Sequence, residues 1–231
     1  MTKSKILMAG MMFLGLLPAS AWASLLTVKS YSIPNGAAPP QAAFPEDDYT
    51  YSNCPASDCT TTGALLSGGV GRLTNGVIPT TDYNVNSNSA DWIDWANGLP
   101  NATDPTMTAY FAGNATINAV SVVFDNCLGG GTVYAPASVS IDGTNYLITP
   151  STTEGPQTIT ISGLDLTGSD ATMQFFQSLA NNGDVAMEIG QVSFTGTLVA
   201  SAIPEPGSAF LMGGGLLAGW TALKLRRWNR G

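Results

Sequence analysis

Between residues 24 and 202 no stretch keeps apolar residues at i, i+3 and i+4 over three turns. That spacing is what an amphipathic helix needs to bury one stripe. What recurs instead is short runs rich in β-branched and aromatic residues, at 107–111, 116–124, 137–141, 146–149, 157–161, 172–176 and 185–199. Turn clusters separate them: Ala112-Gly113-Asn114, Leu128-Gly129-Gly130-Gly131, Asp142-Gly143-Thr144-Asn145 and Asn181-Asn182-Gly183-Asp184. Asp-Gly and Asn-Gly pairs accept positive φ and so mark hairpins. Val139 and Ile141 alternate with Ser138 and Ser140, the period of a half-buried strand. Many short strands at even spacing predict an all-β fold, a single antiparallel β-sandwich over residues 24–202. No internal repeat points to a propeller or solenoid. Upstream, Pro34, Pro39, Pro40, Pro45 and Pro55 break the alternation. That part predicts a first strand near residues 26–31, then long loops.

The chain contains no histidine. That excludes a His-ligated metal, a Ser-His-Asp triad and a Cys-His pair. Asp plus Glu number 16 and Lys plus Arg 8, for a formal charge of -8. Such a chain is a poor ligand for a phosphate backbone, so no nucleic-acid partner is expected.

The two ends read as topogenic segments. Lys3 and Lys5 precede an apolar stretch at 6–17, and Ala21-Trp22-Ala23 follows. That order is a secretory signal peptide over residues 1–23, a helix handled by the Sec translocon and cut by signal peptidase after Ala23, with Ala21 and Ala23 as its small residues. At the other end Pro204-Glu205-Pro206 precedes an uncharged span at 207–223 and a basic tail at 224–231 holding Lys224, Arg226, Arg227 and Arg230. A helix of that span is about 25 Å long at ~1.5 Å per residue, near the lower limit for one transmembrane helix. The positive-inside rule keeps the basic tail cytoplasmic and the main domain outside.

Residues 203–231 resemble the PEP-CTERM sorting signal, with all three of its parts in order. The resemblance implies a Gram-negative bacterium that makes exopolysaccharide, and recognition by exosortase, a membrane transpeptidase that cuts near the motif. Pro204, Glu205 and Pro206 would then be a processing site for another enzyme. It further implies a chain transiently anchored in the inner membrane, then at the cell surface or outside it.

The middle carries a second pattern. Arg72-Leu73-Thr74-Asn75-Gly76 is followed by Trp92-Ile93-Asp94-Trp95, then by Pro136-Ala137-Ser138-Val139-Ser140-Ile141, and closes on Ile189-Gly190-Gln191-Val192-Ser193-Phe194-Thr195-Gly196. This order is similar to the galactose-binding-like (discoidin, coagulation factor 5/8 type C) jelly roll. In that family a structural calcium sits where the early turn meets the last strand. The resemblance places such a site at Asn75 and Gln191, where amides stand for carboxylates. Calcium wants six to eight oxygens and gains affinity from charge, so at most a weak site is implied, and no other cofactor.

The candidate sugar-binding residues are Trp92, Asp94 and Tyr134, since sugars are gripped by aromatic faces and planar polar groups. In an extended segment Trp92 and Asp94 share one face and Ile93 and Trp95 the other, so at least one tryptophan is expected in the core. No catalytic residues are assigned. Asp47-Asp48, Asp91 with Asp94, and Glu154 are the only carboxylate groupings near plausible loops, and neighbours in sequence do not make the paired geometry of a glycosidase. Adjacent Asp47 and Asp48 are expected to face water. Export favours a Cys54–Cys59 disulfide, with Cys127 buried or left for an intermolecular bond; a Cys54–Cys127 bridge is the alternative.

Six of the eight cations lie in the terminal segments, leaving Lys29 and Arg72 against fifteen acids in residues 24–202. The expected molecule is therefore an acidic, exported, non-catalytic β-sandwich that binds carbohydrate or plays a structural part in a polysaccharide matrix. The alternatives are a matrix protein with no small-ligand site and a small secreted glycan hydrolase.

Overall fold

The computed structural model describes residues 23–36, 47–48, 50–52, 61–83, 92–96, 104–128, 130, 133–178 and 186–199. Nine strands form one antiparallel sheet among them: β1 Ser24–Leu26, β2 Val28–Pro34, β3 Leu65–Gly69, β4 Ile93–Ala96, β5 Thr106–Asn126, β6 Ser138–Ile141, β7 Thr144–Leu147, β8 Gly155–Phe176 and β9 Ala186–Leu198. A 3₁₀ turn, Arg72–Thr74, follows β3. The expected signal peptide at 1–23, except for its last residue, the expected sorting tail with its span at 207–223, and Cys54 and Cys59 lie outside the described residues. Among the described residues no helix is long and apolar enough to cross a membrane.

The expected all-β antiparallel class is what forms, but strands and turns divide differently. Residues 107–111 and 116–124 belong to one strand, β5, and residues 157–161 and 172–176 to another, β8. Ala112-Gly113-Asn114 is not a chain reversal. It is a bulge inside β5, where pairing with β8 skips from Tyr110 to Ala115. An insertion that leaves the flanking residues paired bends a strand without ending it. The single first strand near 26–31 is instead β1 and β2, which pair with different partners, β9 and β5.

These two long strands make the sandwich. The first part of β5 pairs with β2 and with the last part of β8, and β8 carries β6 and β7 beyond it. The second part of β5 lies between the first part of β8 and β9, and β9 pairs with β1 and β4. The bulges thus fold one sheet over onto itself. Phe111 from the first layer meets Phe194 from the second edge to face, with ring centroids 5.2 Å apart, a favoured aromatic geometry.

A one-residue slip reverses the buried face of a strand, and β5 does this at its second irregularity, between Ile117 and Ala119. Before it the odd positions Met107, Ala109, Phe111, Ala115 and Ile117 are buried, and after it the even positions Val120, Val122 and Phe124. The core joins these to Tyr31 and Ile33 of β2, Phe175 of β8 and Val192 of β9. Asp142-Gly143 makes the expected tight hairpin between β6 and β7, with φ of 45° and 82°, the two positive values of a type I′ turn.

β9 and its neighbour β5 approach closely at Gly196, beside the register shift between Ile117 and Ala119. A Cβ there would lie 2.0 Å from the Thr116 carbonyl oxygen and 3.0 Å from the Ile117 Cα. Both are backbone atoms of β5 and cannot swing aside. Gly196→Ala is expected to cost about 1–3 kcal/mol, as overpacking does, read as a lower urea midpoint. Gly113→Ala adds a methyl in open space and should leave the midpoint unchanged or slightly raised. Equal midpoints for the two variants would contradict the close approach.

Candidate functional site

The early turn and the last strand, 115 positions apart, do meet. Arg72–Thr74 ends on Asn75 in a helical conformation, and Gly76 follows with a φ of 82° that favours glycine. The Gly76 N–H donates to Gln191 Oε1 at 3.2 Å, and Gln191 Nε2 donates to the Val192 carbonyl at 3.1 Å. Asn75 Oδ1 accepts the Val77 N–H at 2.8 Å, a local turn that asparagine favours. A cleft of about 220 Å³ opens beside this junction, lined by residues 25–28, 74–76 and 191–193.

Behind the turn stands a buried carboxylate. Asp48 Oδ1 accepts the Arg72 N–H at 3.1 Å and the Thr50 hydroxyl at 3.0 Å, while the Tyr31 hydroxyl donates to Oδ2. Asn35 Oδ1 accepts the Asp48 N–H at 3.0 Å. The Tyr51 hydroxyl donates to the Tyr31 carbonyl and accepts the Gly69 N–H at 2.9 Å. Burial, then the Asp48 charge, hold the Tyr31 phenol well above its usual range. Asp47 and Asp48 do not face water: they are 2% and 0% exposed. A lone carboxylate is costly to bury and is retained where several donors satisfy it. Gly71 is shaped by the same group, since a Cβ there would lie 2.2 Å from Asp48 Oδ2.

The tryptophan segment is β4. Trp92, just before it, and Trp95 are both 0% exposed. Trp92 Nε1 donates to the Thr81 carbonyl at 3.3 Å, and Trp95 Nε1 to the Pro34 carbonyl at 3.0 Å. Both rings serve the interior, so the Trp92 face is not available for stacking a sugar. Asp94 is 7% exposed and stands opposite Glu188 in the β4–β9 register. The Arg72 guanidinium donates through Nη1 to the Trp92 carbonyl at 2.7 Å. Tyr134 is half-buried and donates its backbone N–H to the Ala186 carbonyl at 3.1 Å. The structure does not gather Trp92, Asp94 and Tyr134 on one exposed patch. Glu154 is exposed.

Asp82, Asp125 and Cys127 form the one group of metal-type ligands found among the described residues, with one ligand atom of each within 4.8 Å of the others. Hydrogen bonds account for the arrangement. Cys127 Sγ lies 3.2 Å from Asp125 Oδ2 and 3.3 Å from Asp82 Oδ1, while Asp125 also accepts the N–H groups of Tyr83 at 2.7 Å and Asn126 at 3.0 Å. Burial first, then these two carboxylates, push the thiol far up. A thiol that does not ionise is a poor nucleophile and ligand. Cys127 is free and buried, and Cys54, its alternative partner, lies outside the described residues. Asp125 and Cys127, two apart at the end of β5, could have been paired from sequence. Asp82, from another segment, could not.

No family model and no curated protein matches this chain. Solved structures that it is similar to include CBM32-3 from a family 31 glycoside hydrolase of Clostridium perfringens, at 10% identity over 55% of this chain and 81% of that one, with a TM-score of 0.34. The family 32 CBM of NanJ from the same organism, in complex with galactose, overlaps 54% of this chain and 82% of its own at 10% identity and a TM-score of 0.29. CpGH89CBM32-6, also of C. perfringens, overlaps 44% and 75% at 16% identity and a TM-score of 0.28. At these scores neither ligand nor site transfers, and the fold class rests on the strand pairing above.

Burial also holds the carboxyls of Asp47 and Asp125 above the usual carboxylate range. Their contribution to stability is then full below the unfolded value of about 4 and is lost as the pH rises through the folded one. Self-repulsion of the excess acids grows in the same direction. A higher Tm is expected at about pH 5 than at neutrality; the reverse order in thermal melts would refute burial as the dominant cause. Thiol labelling mapped to Cys127 should occur only after denaturation, and labelling of the native chain would contradict its protection.

Proposed function

We propose that this chain is an exosortase substrate, exported from a Gram-negative cell and displayed as a non-catalytic β-sandwich that associates with extracellular polysaccharide. The observation that carries this reading is the order Pro204-Glu205-Pro206, uncharged span, basic tail, set against a signal peptide at the other end. The arrangement of the sandwich supports its non-catalytic part. Three of its carboxylates serve as braces: the buried Asp48 and Asp125 and the half-buried Asp104 each accept a backbone N–H from a distant segment. A carboxylate committed to fixing a turn is not one poised across a cleft.

A purely structural matrix role is the second reading, favoured by the burial of both Trp92 and Trp95. Glycan arrays with residues 24–202 separate the two: binding to the host's own matrix polysaccharide supports the first, and silence on every polysaccharide supports the second. Removal of residues 204–231 is expected to redistribute the protein between membrane, surface and medium. An unchanged distribution would sink the sorting role.

A further inference from the structure

The junction of the early turn with β9 is where the galactose-binding-like resemblance implies a calcium ion, and the donors found there do not suit one. Both side-chain oxygens that would ligate it are neutral amide oxygens already turned onto backbone N–H groups: Asn75 Oδ1 onto Val77 and Gln191 Oε1 onto Gly76. The residues lining the adjacent cleft, 25–28, 74–76 and 191–193, include no carboxylate. Thr74 Oγ1 is buried without a hydrogen-bond partner, but one neutral hydroxyl does not replace the charge that calcium sites draw their affinity from.

We infer that the Gln191 side chain clasps this junction in place of a cation. The amide suits the task because it supplies both senses of hydrogen bond at once. Its oxygen takes the Gly76 N–H of the turn, and its nitrogen is anchored on the Val192 carbonyl of its own strand. A carboxylate could take the first bond but has no donor for the second. Gln191 is 6% exposed while Gly76 is exposed, so the contact is half-shielded from competing water on the β9 side. The clasp joins the 3₁₀ turn to β9, and Asp48 grips the same turn from its other side through the Arg72 N–H. The two together fix the turn without an ion.

The test is thermal unfolding of the full chain in detergent, in millimolar calcium chloride and in excess EDTA. The natural protein is expected to give one Tm in both solutions, and calorimetric titration with calcium chloride to show no specific heat. Gln191→Ala is expected to lower Tm by about 2–4 °C, as loss of a partly buried hydrogen-bonding side chain does in a domain of this size, equally in both solutions. The double variant Asn75→Asp with Gln191→Glu brings two carboxylates together. It is expected to melt lower in EDTA and to recover in calcium. A natural chain whose Tm falls in EDTA and is restored by calcium overturns the inference, as does a Gln191→Ala variant with an unchanged Tm.

Discussion

The ladder between β5 and β8 is the constraint on which the other contacts depend. It runs from Thr106 opposite Gln174 to Asn126 opposite Gly155, and among the described residues it is the only pairing that passes through both layers. Every other strand reaches the sheet through one of these two or through a strand already paired with them. The bend is what lets one ladder serve two layers. Without the skip between Tyr110 and Ala115 the sheet would stay open, and Phe111 could not reach Phe194. Without the slip between Ile117 and Ala119, Val120, Val122 and Phe124 would turn outward. Irregularity is here a requirement of the core.

A sheet folded on itself leaves its early connections to be tied down by something other than the ladder. In this chain the task falls to polar side chains. Asp48 braces Tyr31 against the 3₁₀ turn, Gln191 holds that turn to β9, and Asp125 holds the segment at Tyr83 against the end of β5. Each replaces backbone pairing with a side-chain acceptor for an otherwise orphaned N–H. The cost is visible in the raised Asp125 carboxyl, since burial works against a charge that the fold needs for its hydrogen bonds.

The same economy bears on function. Trp92 and Trp95, the residues most suited to stacking on sugar, are spent on the interior, each with its indole N–H satisfied by a carbonyl of another segment. Association with polysaccharide would then fall to polar groups of the surface and loops.

The alternation at Val139 and Ile141 and the Asp142-Gly143 turn were legible because they are local: period two and positive φ are written in adjacent residues. The all-β class followed for the same reason, from the absence of helical spacing. The meeting of the early turn with Gln191 was legible only through a family pattern. The continuity of β5 was not, because Ala112-Gly113-Asn114 reads identically as a turn or as a bulge, and only the partner strand decides between them. Nor was the burial of Asp48, since what brings a carboxylate indoors is a set of donors: Tyr31, Thr50 and Arg72 lie at three different places in the chain. Sequence determined the all-β class and the acidity of this protein. The tertiary structure decided which polar groups became braces, because a hydrogen-bonded hub exists only where distant segments arrive together.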